Sequence, residues 1–354
     1  MRVLIDVTYE RRAPLSGTGV YLRRLCQELR ALGDVEVVAV ANPRRPPPAG
    51  GGLGSLRNLS SDLGWTAIVL PRLARRLGAE VIHHPLPALA PVASVPQVVT
   101  VLDLAFERLP ECFDPRFRRW AQLTHRAAAR SADAVICISA TTAADARELW
   151  GLAPERIVVA PLGPGQVQDG ERTPLTGERP RPAPPGYFLY VGDAEPRKNL
   201  DVLLQAYSLY RSATLAPLDL MLAGSATARD PGVRVQSSPS EAQLRRLLAG
   251  AMALVHPSLY EGFGLTLLEA MALGAPVLAA AVPGVAELCA DAARYADPHD
   301  PASFARAMSE ISDDPALAQE LSTRGRRRAR DFSWASCARA HVEAYSLALR
   351  ASPR

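Results

Sequence analysis

Short runs rich in valine, isoleucine and leucine alternate along this chain with longer segments whose apolar positions recur every third or fourth residue. The first pattern fits a strand buried on both faces and the second an amphipathic helix, so their alternation predicts parallel α/β sheets. In the first half, strands are expected at RVLIDVT, EVVAVAN, VIHH, QVVTVLD, AVICIS and RIVVAPLG. A second series begins at YFLYVG (187–192) and continues through LDLMLAG, VRVQ, MALVHPS, APVLAAA and ARYAD. Helices fall between them; in GVYLRRLCQELRALG, for example, Val20, Leu22, Leu25, Leu29 and Leu32 form one stripe and Gly33 supplies the stop. The expected class is α/β, with two doubly wound, Rossmann-like sheets.

A chain of 354 residues exceeds the usual single-core size. The segment GPGQVQDGERTPLTGERPRPAPPG (163–186) is dense in proline, glycine and charge, the composition of an exposed linker. The expected domains are therefore 1–165 and 187–330, joined by a linker at 166–186. The tail 331–354 reads as a helix with no strand after it, expected to pack back toward the N-terminal domain. NPRRPPPAGGGLGSLRN (42–58) reads as a mobile loop after the second strand. Ligands of open parallel sheets collect outside the carboxyl ends of the strands, which places the expected site between the two domains.

Composition narrows the classes. Hydrophobic content of 48% with 21% charge is globular, and no charge-free apolar run approaches the ~18 residues of a membrane-spanning helix. MRVLIDVTYERR carries Asp6 inside its apolar run and suits a first strand, not a signal peptide, so a cytoplasmic protein is expected. Five scattered cysteines without a C-x-x-C pair suggest neither a zinc site nor a disulfide framework. Up to position 165 there are 20 basic and 15 acidic residues, and beyond it 20 and 21, so the excess basicity is N-terminal. RFRRW (116–120) would suit peripheral contact with an anionic inner membrane surface, though a solvated helix face explains it equally well. RGRRRAR (324–330) has few interleaved aromatics, and nucleic acid is not an expected partner.

Two stretches carry candidate chemistry. In YEGFGLTLLEAMALGAPV (260–277), Gly262 and Gly264 permit a tight backbone path into a short helix that ends at Gly274. That helix is apolar on nearly every face, so Glu269 is expected to be buried with no cation three or four positions away. A buried charge needs a partner, here one from outside its own helix. Residues 265, 266 and 269 share a face, so Glu269 looks along the side where the first helical turn presents its N–H groups. Helix N-termini favour phosphate and a carboxylate favours vicinal hydroxyls, together a description of a ribose carrying a diphosphate. Glu261, on the preceding loop, would lie further along that ligand.

The second stretch, YVGDAEPRKNLDVLLQAY, reads as strand, Gly192, a polar loop with Arg197 and Lys198, then a helix: the layout of an anion site at a strand end. Lys198 is the only lysine among 40 basic residues. A compact point charge at that place differs functionally from a planar fork.

YEGFGLTLLEAMALGAPV and VGDAEPRKNL together resemble the two donor-site signatures of retaining family 4 glycosyltransferases, and SGTGVYLRRLCQEL and ADAVICISATTAADA follow in family order. The resemblance spans most of the chain. It implies a GT-B fold whose second domain binds a nucleotide-diphosphate sugar (UDP, GDP, ADP or TDP undetermined) and whose first domain binds a carbohydrate, lipid-linked or natural-product acceptor. On that resemblance Glu269 holds the ribose hydroxyls and Glu261 those of the donor sugar. Backbone N–H groups around Phe263, Gly264, Leu265 and Thr266 face the sugar and phosphates, and Arg197 and Lys198 neutralise the diphosphate. Gly17, Thr18 and Gly19 would let a helix N-terminus of the first domain approach the same phosphates. No metal and no cofactor are expected, since two cations and helix dipoles take the place of a metal ion.

One departure stands out: where this family commonly shows His-Asp, the chain has Leu102-Asp103. Asp103 is expected either to bind donor or acceptor hydroxyls or to cap a helix start. His83 and His84 end the third strand, and at most one would face an acceptor. His256 reads as structural. Two rival readings remain open, a nucleotide-sugar epimerase or hydrolase on the same architecture and a non-catalytic nucleotide-sugar-binding scaffold.

Overall fold

The computed structural model describes residues 1–45, 61–165 and 186–351. All but the last residue of the expected linker, and residues 46–58 of the expected loop, fall outside that set. The chain forms two compact units, Met1–Gly163 with Ser333–Arg354, and Pro164–Phe332.

Each run read as a strand forms one. The first unit holds β1 (Arg2–Asp6), β2 (Glu36–Val40), β3 (Val81–His84), β4 (Gln97–Val101), β5 (Ala134–Cys137) and β6 (Ile157–Val159). The second holds β7 (Tyr187–Val191), β8 (Asp219–Gly224), β9 (Val233–Ser237), β10 (Ala253–His256), β11 (Val277–Ala280) and β12 (Ala293–Ala296). Within the units the strands lie in the orders β2-β1-β3-β4-β5-β6 and β12-β11-β10-β7-β8-β9. Every pairing is parallel. The order reverses once in each sheet, between β1 and β3 and between β7 and β10, and such a reversal opens a crevice at the strands' carboxyl ends.

Burial follows sheet position. Central strands β3, β5, β10 and β11 are buried at every residue, whereas edge strands β2 and β9 have none fully buried. That is why the central strands read as continuous apolar runs. In the first unit Val99, Val101, Val135 and Cys137 pack with Leu104, Phe106, Ala146 and Trp150, while Leu4 and Ile82 pack with Trp65, Leu70 and Ala74. In the second, Phe188, Tyr210, Leu222, Leu254, Leu278 and Phe304 are fully buried. Fully burying one such side chain stabilises the fold by about 1.5–3 kcal/mol.

The last helix, Trp334–Ala351, belongs to the first unit and packs on the helix Gly17–Leu32 and on β3 to β6. Close approach at its start needs a residue without a side chain, since a Cβ on Gly163 would lie 2.5 Å from the Trp334 backbone nitrogen. A wholly buried polar chain fastens the helix. His341 Nδ1 donates to the Cys337 carbonyl (2.8 Å), which leaves Nε2 to accept from the Tyr21 hydroxyl (2.7 Å). Tyr21 then accepts from Thr100 (3.0 Å), Thr100 from His83 Nε2 (2.8 Å), and His83 Nδ1 accepts from Tyr345 (2.9 Å). Each donor finds one acceptor, as groups without access to water require.

Of His83 and His84, at most one of which was expected to face an acceptor, neither is exposed. Both are buried, His83 in the chain above and His84 through Nε2 to Gln97 Oε1 at 2.9 Å. Alternation along the strand does send them opposite ways, but each face of β3 is covered.

Burial holds these rings neutral, pushing His84 and His341 down to about 4. A free histidine titrates near 6.5, so below that pH the unfolded chain binds more protons than the folded unit. Stability is therefore complete above about pH 6.5 and declines as pH falls toward about 4. His84→Leu removes one such group and should flatten the dependence of unfolding free energy on pH by up to about 1.4 kcal/mol per unit within that window. All four tryptophans, Trp65, Trp120, Trp150 and Trp334, lie in this unit, so tryptophan fluorescence in urea series between pH 7 and 4.5 isolates it. Parallel curves for parent and variant would contradict the assignment.

Candidate active site

Three segments meet at the reversal point of the second sheet. β7 ends at Val191, and Gly192 N donates to Ala223 O at the end of β8 (3.0 Å). Backbones come close there, for a Cβ on Gly224 would sit 2.4 Å from Gly192 O. The chain then makes a single tight turn, Pro196–Lys198, and passes through Asn199 in the left-handed conformation (φ 57°, ψ 41°) into the helix Leu200–Ala213. Asparagine tolerates that conformation better than most side chains. Its amide also donates to Pro257 O (3.1 Å) and Pro298 O (2.7 Å), tying together the loops that follow β7, β10 and β12. Leu259 N donates to Arg197 O (2.9 Å), a second tie between the first two.

The loop after β10 carries Glu261, which is 8% exposed. Its Oε1 accepts from Lys198 Nζ at 2.6 Å and from His256 Nε2 at 2.8 Å, and Arg197 Nη1 stands 4.0 Å away. Arg197 Nε pairs with Glu195 at 2.8 Å. Burial, the largest influence, pushes the Glu261 carboxyl up, but Lys198, His256 and Arg197 together outweigh it and hold the group well below the usual carboxylate range. His256 is lowered, first by burial and further by Lys198 and Arg197, against the opposing pull of Glu261. A neutral imidazole facing a carboxylate must carry its proton on Nε2.

Beyond Glu261, Gly264 takes a left-handed conformation (φ 93°) and opens the helix Leu265–Ala272. Glycine is the residue for that position. Phe263 is buried edge-on against Phe332 (5.8 Å between centroids), whereas Leu265 and Thr266 are half-exposed. The first helical turn thus presents backbone N–H groups without intrahelical partners at a partly open surface. Glu269, one turn on and on the same face, is 3% exposed.

The structure brings Arg197, Lys198 and Glu261 into one cluster, with Gly192 at the neighbouring strand end and Phe263 to Thr266 and Glu269 on the segment that follows. Gly17, Thr18, Gly19 and Asp103 belong to the first unit. Gly17 is exposed with open space around it, but Gly19 is buried, and a Cβ there would lie 2.2 Å from Ala13 O. Its N–H is satisfied by Ser16 Oγ at 3.1 Å, so Gly19 serves helix packing and capping. Asp103 Oδ1 accepts from Ala105 N (3.0 Å), at the start of the short helix Ala105–Arg108. His256, read as structural, touches the central carboxylate. Gly284 was missed altogether; a Cβ there would lie 2.0 Å from Glu261 O. Among the described residues no three His, Cys, Asp or Glu side chains gather as a metal-ligand set, and no helix is long and apolar enough to cross a membrane.

This arrangement can hold an anion at the paired cations and the helix start, and hydroxyl groups at the carboxylates. Comparison with known proteins decides the family. Residues 175–328 match the model described as glycosyl transferases group 1, and residues 15–163 match glycosyltransferase family 4. The O-antigen chain mannosyltransferase B of Escherichia coli is 30% identical over 268 residues, 71% of this chain and 70% of that protein. The chain belongs to the family 4, group 1 glycosyltransferases. Among solved structures, sucrose-phosphate synthase of Thermosynechococcus elongatus superposes with a TM-score of 0.76 over 99% of this chain and 100% of that one, at 20% identity. HepE of Anabaena, solved with UDP-glucose, gives 0.68 over 98% and 99%, at 16% identity. At these identities the likeness establishes the fold of this glycosyltransferase, GT-B, and nothing finer.

Gly284 and Gly17 test how the site is built. Gly284→Ala must displace the Glu261 backbone and should cost the second unit about 1–3 kcal/mol. Amide exchange in 259–263 would rise with it. Gly17→Ala, in open space, should stay within about 0.5 kcal/mol of the parent. Normal exchange around Glu261 in the first variant would show that the contact is not tight.

Proposed function

We propose that this glycosyltransferase moves a sugar from a nucleotide-diphosphate sugar to a hydroxyl of a carbohydrate, lipid-linked or natural-product acceptor, with retention of anomeric configuration and without a metal ion. The observation that carries the reading is the cluster of Arg197, Lys198 and Glu261 beside the start of the helix Leu265–Ala272. Lys198, Arg197 and the helix N–H groups would take the diphosphate, Glu261 the donor sugar hydroxyls and Glu269 the ribose. Relatives whose names denote mannosyl transfer, and a fold neighbour solved with UDP-glucose, support the donor class.

As the anomeric C–O bond breaks, negative charge collects on the departing diphosphate and positive charge on the sugar ring. Cations already fixed beside the phosphates stabilise that transition state more than the ground state. For retention, a phosphate oxygen of the leaving group can take the acceptor's proton on the same face, so the chain need not supply a general base. Peripheral contact with anionic lipid belongs to the same proposal. Its support is the helix Pro115–Ser131, where Arg116, Arg119 and Arg126 are exposed beside Phe117 and Leu123.

With the donor found by thermal-shift screening of UDP, GDP, ADP and TDP sugars, Lys198→Ala should lower kcat about 10²–10³-fold when assayed well below its melting temperature, which loss of the Glu261 pair also lowers. Activity should survive EDTA, and NMR of the first-formed product should show the donor's anomeric configuration. An active Lys198→Ala protein, a chelator-sensitive reaction or an inverted product would each remove one part of the reading. Separately, Arg116→Glu with Phe117→Ser should reduce co-sedimentation with phosphatidylglycerol vesicles relative to the parent, and equal sedimentation would remove the lipid contact.

A further inference from the structure

Lys198 is drawn in two directions. It pairs with Glu261 at 2.6 Å, and on the proposed function it also serves a diphosphate, whose greater charge would draw it away. A lysine suits that exchange, being a point charge on a flexible four-carbon stem. Glu261 cannot follow without abandoning the sugar hydroxyls assigned to it. Something must hold the carboxylate when its strongest partner turns elsewhere.

The groups around Glu261 Oε1 differ in how firmly they are fixed. Arg197 stands at 4.0 Å and is engaged by Glu195. His256 is at 2.8 Å, 3% exposed, and is the last residue of β10, where His256 registers with Ala279 of β11. Its backbone belongs to the sheet and its ring is enclosed, so the donated N–H has one direction. Being neutral, the ring restrains the carboxylate without adding a cation that would compete for it with Lys198. The backbone carbonyl of Glu261 is packed closely against Gly284.

We propose that His256 is a positioning residue that keeps Glu261 in its working orientation when Lys198 passes to the diphosphate of the donor. It touches neither donor nor acceptor and acts only through Glu261. The proposal rests on the donor reading above, and its test separates the two.

Because Lys198 is the only lysine, biosynthetic labelling with [13C]lysine gives one side-chain resonance, and its Cε shift reports the Lys198–Glu261 pair directly. His256→Gln keeps an N–H near the Nε2 position, while His256→Met keeps the volume and removes the donor. Without nucleotide, the Lys198 signal should overlay the parent's in His256→Gln and move in His256→Met. With the donor, His256→Met should lose roughly 10- to 100-fold in kcat, with the donor KM changed less than about threefold. Unchanged spectra and kcat in His256→Met would overturn the proposal, and so would equal damage in both variants with a matching fall in melting temperature, the mark of a merely structural histidine. If UDP, GDP, ADP and TDP all leave the parent's Lys198 signal unmoved, the donor reading fails. The nucleotide-free spectra still decide whether His256 holds Glu261.

Discussion

The geometry of the candidate site depends on keeping one carboxylate charged where water scarcely reaches it. Glu261 is nearly buried, and burial alone would drive it to take up a proton. Lys198, His256 and Arg197 reverse that outcome by converging on one of its oxygens. Removing one partner from such a group typically costs about 3–5 kcal/mol, because the remaining charge is left uncompensated. The carboxylate therefore dictates where the cations stand, and through them the paths of two loops. The Arg197 carbonyl and the Asn199 amide then reinforce what the charges require, by bonding to Leu259, Pro257 and Pro298.

The two units treat the same architecture differently. Both reverse strand order once and so open the same kind of crevice. In the second unit that reversal carries formal charges of both signs. In the first, the polar groups near β1, β3 and β4 are used internally. Asp6 accepts from Thr8 and from Trp65 Nε1 (3.0 Å), and His83 and Thr100 belong to the chain that ends at Cys337. A buried polar network serves the fold when every member is satisfied, as this one is. The charges suited to a phosphorylated ligand accordingly lie in the second unit, while the first fixes the final helix.

The strands were legible because central parallel strands must be apolar on both faces, and that leaves runs such as AVIC and ALVH. Burial of Glu269 was legible from the helical period, and the pairing of Arg197 and Lys198 with a strand end from their neighbours. Contacts that depend on how a loop closes were not. Glu261 lies five positions after His256, and nothing in HPSLYE says that the chain turns back far enough for them to meet. Gly284 answers to a carbonyl on another segment, so its need for a missing side chain has no local signature. The burial of both His83 and His84 was hidden for the same reason, since Tyr345, which covers one of them, lies 262 positions away.

The lone lysine and its neighbouring arginine are held in different ways. Arg197 spends its Nε on Glu195 and directs Nη1 toward Glu261, so its planar fork spans two carboxylates at once. Moving it would break both geometries together. Lys198 has one charge and one short ion pair, and its stem can swing while its backbone stays in the turn fixed by the Glu195 carbonyl. On the proposed function Lys198 is held by a carboxylate in one state and by a phosphate in the next, and that needs such independence. An arginine at 198 would keep the charge, but its fork would bind Glu261 through two nitrogens and resist the transfer. On the proposed function, the difference between the two cations is therefore one of exchange and not of strength.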